Sequence, residues 1–381
     1  MTLPDPPNGM HPTTGIGIRA AQVVVPSTDL AASLDFFVER LGFRVDLIFP
    51  ADAPSTAVLS GYGVCLRLET HAAPEVTGAP LVLRLLCEHP AGQSELPGPD
   101  GVRVAWVPAE PAIAVPPGRQ EFILSRDDDV NAWGTGRADM QYRDLIPGRL
   151  GGRFVASHIR IPLGGVVPDY VHFHRIRFQM IFCKAGWVRV VYEDQGPPFV
   201  LQAGDCVLQP PEIRHRVLEA SPGLEVIEIG CPAVHDTVAD HELTLPTSRL
   251  QPNRVFGGQR FAHHIAADAH WTPWRLNDAD AQGFEASDLG LAAATAGLAA
   301  VHVVRSMGTP GRENIARLTH AGEFYFLFVL QGSLRLDDDG ADAGDARGHH
   351  LLRGGDSCVI PAGAAYLLRA GAGLRLLEVA L

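Results

Sequence analysis

Apolar residues in this chain recur in short runs cut by glycine and proline. Runs such as Leu224-Glu-Val-Ile-Glu228-Ile and Leu374-Arg-Leu-Leu-Glu378-Val have the length and β-branched composition of strands. One stretch breaks the pattern. Asp29 follows Ser27 and Thr28, and Leu30, Leu34, Phe37 and Leu41 then recur at helical spacing before Gly42. This predicts an amphipathic helix opened by Asp29 and closed by the glycine. Ala20 to Pro26 reads as a strand before it, and Phe43 to Phe49, Thr56 to Leu59 and Val64 to Glu69 read as strands after it. Two more strands are expected near Leu81 to Cys87 and Val102 to Val107, and the Pro/Gly-rich Gly92 to Gly101 between them makes no obvious helix. Ala109 to Gly118 is a proline-rich linker.

Beyond the linker the chain repeats itself. Tyr142-Arg-Asp-Leu-Ile-Pro…Ala156-Ser-His158-Ile-Arg matches Phe284-Glu-Ala-Ser-Asp-Leu-Gly…Ala300-Val-His302-Val-Val, and the two runs quoted first close the two copies. Two copies of one strand-rich unit imply two tandem β domains, connected by Thr237 to Gly258 with its two prolines. The chain is 381 residues long, room for two or three domains at roughly 100–200 residues each. Its 40 glycines and 30 prolines fit many strands joined by turns.

Charge narrows the partners. The net charge of −12 argues against nucleic acid or an anionic membrane, which leaves a small-molecule substrate or ligand, with a homodimer left open. Six scattered cysteines form no C-x-x-C pair and read as reduced, buried thiols. Residues 1–15 read as a loose tail without the features of a signal peptide, and no apolar run approaches the ~20 residues that span a bilayer, so a cytoplasmic location is expected.

The candidate chemistry lies in the first copy. His172 and His174 are two apart and share one face of a strand. Gln179 and His215 reach the same point only if the strands curl into a barrel. Three imidazoles and an amide oxygen suit one divalent metal, with iron, zinc, nickel and manganese all compatible. His158 and Arg160 also share a face, where the guanidinium would clamp a substrate carboxylate. Glu228 recurs as Glu378 and is a candidate hydrogen-bond partner of a ligand histidine. Arg175, Arg177, Arg214 and Arg216 read as a solvated basic rim. Serine-elbow, phosphate-loop and dinucleotide motifs are absent from the sequence.

These residues carry a resemblance. Gly165, His172-Phe173-His174, Gln179 and Gly186, then Gly204-Asp205, Pro210 and His215, resemble the two cupin motifs. They depart from the family with Gln179 in place of the usual glutamate and Glu212 in place of the usual glycine. The resemblance implies that His172, His174, Gln179 and His215 bind the metal within a small antiparallel barrel. Aligning Gly332, Gly355 and Pro361 with Gly186, Gly204 and Pro210 puts Leu318, His320, Tyr325 and Tyr366 in the ligand positions of the second copy, which should hold no metal. The N-terminal β-α-β-β-β order, with Phe36-Phe37 and Leu41-Gly42-Phe43, resembles the vicinal-oxygen-chelate fold of glyoxalases and extradiol dioxygenases. That family's ligand positions fall on Gln22 and Glu69, but the second module is truncated, so both are expected to be structural.

The expected organisation is therefore mainly β. A tail (1–15) precedes an α+β vicinal-oxygen-chelate-like domain (16–108), a metal-binding barrel (119–236) and a degenerate second barrel (255–381). A neutral ligand set leaves the metal near +2, suited to binding an enolate or phenolate oxygen. The expected function is a metal-dependent, dioxygenase-like cupin enzyme acting on a small oxygenated metabolite. The alternatives are a Lewis-acid cyclase or isomerase, and a non-catalytic metal- and metabolite-binding protein.

Overall fold

The computed structural model describes residues 21–50, 54–70, 81–88, 95–128, 132–135, 140–276, 279–308, 313–340 and 348–381. The expected 1–15 tail lies outside them. The chain forms two compact units, residues 1–112 and 113–381.

In the first unit, strand β1 (Val23–Ser27) leads into helix α1 (Leu30–Leu34), then β2 (Arg44–Phe49), β3 (Thr56–Gly61) and β4 (Val64–Thr70). The Asp29 carboxylate accepts from the Ala32 amide and so caps the helix. The helix does not run on as α to Leu41, since Asp35–Arg40 widens into a π-helix. Gly42, at φ +73°, ends it where L side chains are disfavoured. The sheet order is β1-β4-β3-β2, with β1 parallel to β4. Leu30, Phe36, Phe37 and Leu41 bury against Leu59, Leu66 and Leu68. A smaller sheet pairs β5 (Val82–Cys87) in parallel with β7 (Arg103–Pro108), with β6 (Glu95–Pro97) on the far side of β7. Gln22 is exposed, and Glu69 accepts from Arg67.

The second unit is built of two barrels, each a pair of facing sheets. In the first, the larger sheet runs Ala262–His264, Cys206–Leu208, Phe178–Ala185, Leu224–Cys231, Val155–Ile161, Gln141–Asp144 and Trp133–Thr135. In the second it runs Ile123–Ser125, Ser357–Val359, Tyr325–Gln331, Arg375–Ala380, Ala300–Ser306, Ala279–Asp288 and Thr272–Leu276. The two orders correspond strand for strand, as the repeat predicts.

The edge strands are exchanged. Ile123–Ser125, expected to open the first barrel, pairs with Ser357–Val359 of the second. Ala262–His264, expected in the second barrel, pairs with Cys206–Leu208 of the first. The residue ahead of each exchanged strand is a phenylalanine that lids the barrel it joins. Phe122 stacks on Tyr366 and His350, and Phe261 lies against Tyr192 and Phe199. The boundaries expected at 119 and 255 therefore shift, because strand pairing and an aromatic plug bind each short segment to the opposite barrel. The first barrel also extends past 236. Asp236–Ala239, which overlaps the connector expected from Thr237, adds a strand beside His172–Arg175.

The larger sheets face each other across one apolar core. Phe154 stacks on Phe324 at 4.3 Å, and Met180, Phe182 and Ile229 bury there with Phe326, Phe328 and Val379. Glu323 of the second barrel pairs with both Arg153 and Arg177 of the first, so Arg177 belongs to this seam and not to a solvated rim. The free cysteines are mostly buried, and burial pushes the Cys183 thiol up to about 12.

Candidate metal centre

His172 lies directly opposite His215 on neighbouring antiparallel strands, and His174 is one pleat further along the His172 strand. Alternation turns all three side chains into the barrel. Their candidate ligand atoms lie within 4.8 Å of one another, and the His172 and His215 ring centroids are 4.3 Å apart.

Hydrogen bonds fix which nitrogen each ring presents. His172 Nδ1 donates to the Tyr170 carbonyl at 2.9 Å and His215 Nδ1 to the Ile213 carbonyl at 3.0 Å. A carbonyl only accepts, so the neutral ring carries its proton on Nδ1 and its lone pair on Nε2. His174 Nδ1 is held at 3.0 Å by the Thr237 hydroxyl, from the added strand. This is the donor chemistry a divalent metal requires. Metal–nitrogen bonds of about 2.0–2.1 Å place ligand nitrogens within about 4 Å of each other, so small side-chain rotations close the triad onto one ion.

Gln179 is 2% exposed and lines the same cavity. Its amide nitrogen donates to Glu228, which leaves the amide oxygen as the group it can offer to a cation. Glu228 thus holds Gln179, the expected fourth ligand. Its strand faces explain this, since Gln179 and Glu228 lie on adjacent strands, with Gln179 opposite Gly230 and Glu228 opposite Ile181.

The cavity encloses about 480 Å³, within the range that holds a small organic molecule. Its walls are largely apolar, including Ile159, Ile161, Ile181, Val190, Leu201 and Val226. Polar groups beyond the ligands are few. Gln209 Nε2 donates to the Tyr192 hydroxyl at 2.8 Å, while its Oε1 is buried without a protein partner. Burial pushes the Tyr192 phenol up, so it stays protonated. Arg149, at φ +51°, and His235 also line the cavity. Neither follows a repeating pattern in the sequence, which is why both escaped it.

His158 and Arg160 do share one strand face, but it is the opposite one. Ser157, Ile159 and Ile161 line the cavity, and the alternate residues His158 and Arg160 turn towards the seam. There His158 meets Glu225 at 2.7 Å and Arg143 at 3.2 Å, and Arg160 stacks on Trp133. The sequence match of His158 to His302 is off by one residue. Ser157 faces Glu228 as His302 faces Glu378, so Ser157 is the true counterpart.

In the second barrel Leu318 pairs with Tyr366 as His172 pairs with His215. Tyr325 hydrogen-bonds Glu378 as Gln179 does Glu228, and His320 Nε2 contacts the Ile360 carbonyl at 2.7 Å. No metal-type cluster forms there among the described residues.

No family model matches this chain, and none of the curated proteins matches it. Three solved structures similar to it are the Ylba protein of E. coli, a mutant of Bacillus subtilis oxalate decarboxylase and the salicylate 1,2-dioxygenase of Pseudaminobacter salicylatoxidans. The first is 14% identical over 71% of this chain and 94% of its own, with a TM-score of 0.46. The second is 12% identical over 72% and 80%, at 0.48, and the third 16% identical over 70% and 86%, at 0.46. Among the described residues no helix is long and apolar enough to cross a membrane.

Proposed function

We propose that the chain is a bicupin enzyme whose first barrel binds one divalent metal and acts on a small oxygenated organic molecule, in the manner of a dioxygenase. The observation that carries this is the convergence of His172, His174 and His215 on one mainly apolar cavity. His172, His174 and His215 would hold the ion, with the Gln179 oxygen as a fourth donor. When bound, the metal supplies a Lewis-acidic centre of undiminished charge, and with iron also a route to dioxygen.

The chain's own residues do the rest. The Tyr170 and Ile213 carbonyls and Thr237 lock the three rings. The apolar walls exclude water and accept a flat or branched carbon skeleton. The unpaired end of Gln209 awaits a polar group of the ligand, since a buried amide left unsatisfied costs about 1–3 kcal/mol. Arg149, which lines the cavity and pairs with Asp144 at 3.5 Å, would bring a guanidinium to its edge.

Oxygen consumption by iron-loaded protein across catechols, diketones and flavonoids tests the reading. Turnover that disappears in His172→Ala supports it. Product formation without oxygen uptake favours a cyclase or isomerase, a reading encouraged by the wholly neutral ligand set. A ligand that raises the Tm without turnover replaces both with a binding role.

A further inference from the structure

The seam between the barrels contains two symmetry-related places, and they are built differently. Asp205 and Asp356 hold equivalent turns. Asp205 accepts from the Gln202 amide and the Ala266 amide, and Asp356 from the Arg353 amide and the Asp127 amide. Ala266 therefore stands where Asp127 does. Strand register extends the match. Arg143 faces His158 and Ser287 faces Val303, while Arg160 faces Glu225 and Arg305 faces Arg375. The likeness reaches side-chain stacking, with Arg160 over Trp133 at 3.9 Å and Arg305 over Trp271 at 4.0 Å.

In one place the Arg143 guanidinium fills the space. It is 1% exposed, bonds the Arg126 and Gly355 carbonyls, and pairs with Asp127 at 3.1 Å. In the other, serine replaces that arginine and alanine its aspartate, which leaves a cavity of about 300 Å³. Arg305 and Arg375 line it directly opposite each other, an arrangement of like charges that destabilises a strand pair. Glu285 holds Arg305, and Arg375 makes no ion pair among the described residues. Ser287 is 1% exposed, lines the same cavity, and has a hydroxyl without a partner. The half-seam filled by Arg143 sets Asp127 and Glu225 against its bases, whereas here the two facing guanidiniums share one direct carboxylate partner, Glu285, and Asp205, Asp268 and Asp288 act on His264 at the same cavity.

We propose that this second cavity binds a small oxyanion, a carboxylate or phosphate, between Arg305 and Arg375 with a hydrogen bond from Ser287. One such anion restores the charge balance that Asp127 and Glu225 provide at the related place, and it satisfies the orphaned hydroxyl. The site is separate from the metal centre and does not depend on its chemistry.

Calorimetric titration of the full chain with inorganic phosphate, and separately with malonate, tests this. One anion per chain should bind, and the stronger of the two identifies the oxyanion class. Arg375→Ala, at an exposed side chain, should weaken binding by about tenfold or more, and Ser287→Ala by about threefold. Ser287→Arg combined with Ala266→Asp rebuilds the ion pair of the related place and should abolish binding. His172→Ala should leave it unchanged. Absence of binding by both anions, or titrations of Arg375→Ala and Arg305→Ala that match the wild type, would overturn the proposal. So would loss of binding in His172→Ala alone, which would place the anion at the metal centre.

Discussion

The two barrels share the strand order of their larger sheets, the Gly-Asp turns and a glutamate at the same register, yet among the described residues the interior of one lines a cavity and that of the other is packed with apolar side chains. In the second, Trp274 is 1% exposed and donates to Glu378, which also accepts from Tyr325 and His302. Leu318, Leu336, Leu352 and Phe284 complete a continuous apolar core there. In the first, smaller imidazoles replace Leu318 and Tyr366, and Glu228 holds Gln179. The comparison teaches that one scaffold yields either a packed core or a histidine-lined cavity through a few interior side chains. The shared glutamate serves both, by anchoring whichever polar group stands across from it.

The sharpest way to break this comparison is to remove ligands. Purified protein should carry about one divalent ion per chain, and His172→Ala/His215→Ala should carry less than about a tenth of that, whereas His320→Ala should match wild type. Elemental analysis decides it. Full metal content in the double variant would remove the assignment.

Core truncations come next. Leu336→Ala in the filled barrel should cost about 3 kcal/mol, because it opens a void among close-packed neighbours. Leu201 is equally buried but borders the existing cavity, so Leu201→Ala should cost roughly 1–2 kcal/mol. Urea denaturation measures both, and equal costs would mean the first barrel is as filled as the second.

Gln179→Glu sharpens the comparison at the ligand set. It sets a second carboxylate against Glu228, and like charges at that distance raise the shared proton's pKa. A group whose folded pKa is raised stabilises at low pH and loses that contribution as pH rises. The metal-free variant should therefore lose roughly 1–2 kcal/mol relative to wild type as pH climbs above the carboxylate range, and bound metal should cancel the loss. Metal affinity should rise through the added charge. Identical metal content, pH profile and turnover in Gln179→Glu and Gln179→Ala would make Gln179 a bystander.

The smallest effect lies at the seam. The hydrogen bond from His158, with Lys184 beside it, holds the Glu225 carboxyl down at about 2. A depressed carboxylate stabilises above its ordinary value and loses that contribution as pH falls towards its folded pKa. Glu225→Gln should thus destabilise by about 1 kcal/mol at neutral pH, a figure reduced for its partial exposure. It should also flatten the acid limb below about pH 4.5. Arg375 occupies the corresponding place in the other half-seam, so Arg375→Gln should leave that limb unchanged. An unaltered limb in Glu225→Gln would show that the His158 contact contributes nothing.

Much of this was legible in the chain. The His172-Phe-His174 spacing and the return of His215 after the Gly204 and Pro210 turn both survive in three dimensions as one histidine cluster. These are local or repeated patterns, and strand alternation converts them directly into faces. Alternation does not say which face is inside. His158 and Arg160 were correctly paired with each other and assigned to the wrong side, because the sheet that carries them is buried on both faces. Its seam side takes polar residues as readily as its cavity side.

The amino-acid sequence by itself determined the strand-rich repeat, the helix start at Asp29 and the identity of the converging histidines, since each depends on periodicity within one segment. Only the tertiary structure decided the exchange of Ile123–Ser125 and Ala262–His264, the recruitment of Thr237 to His174, and the placement of Gln179 against Glu228. Short edge strands carry little intrinsic preference. Their partner is set by whichever unpaired backbone edge and aromatic pocket lie within reach once both barrels have closed. The seam cavity arises in the same way. Ser287 and Ala266 are unremarkable alone, and become a site only because folding places them where the other half of the molecule keeps a buried arginine and its aspartate.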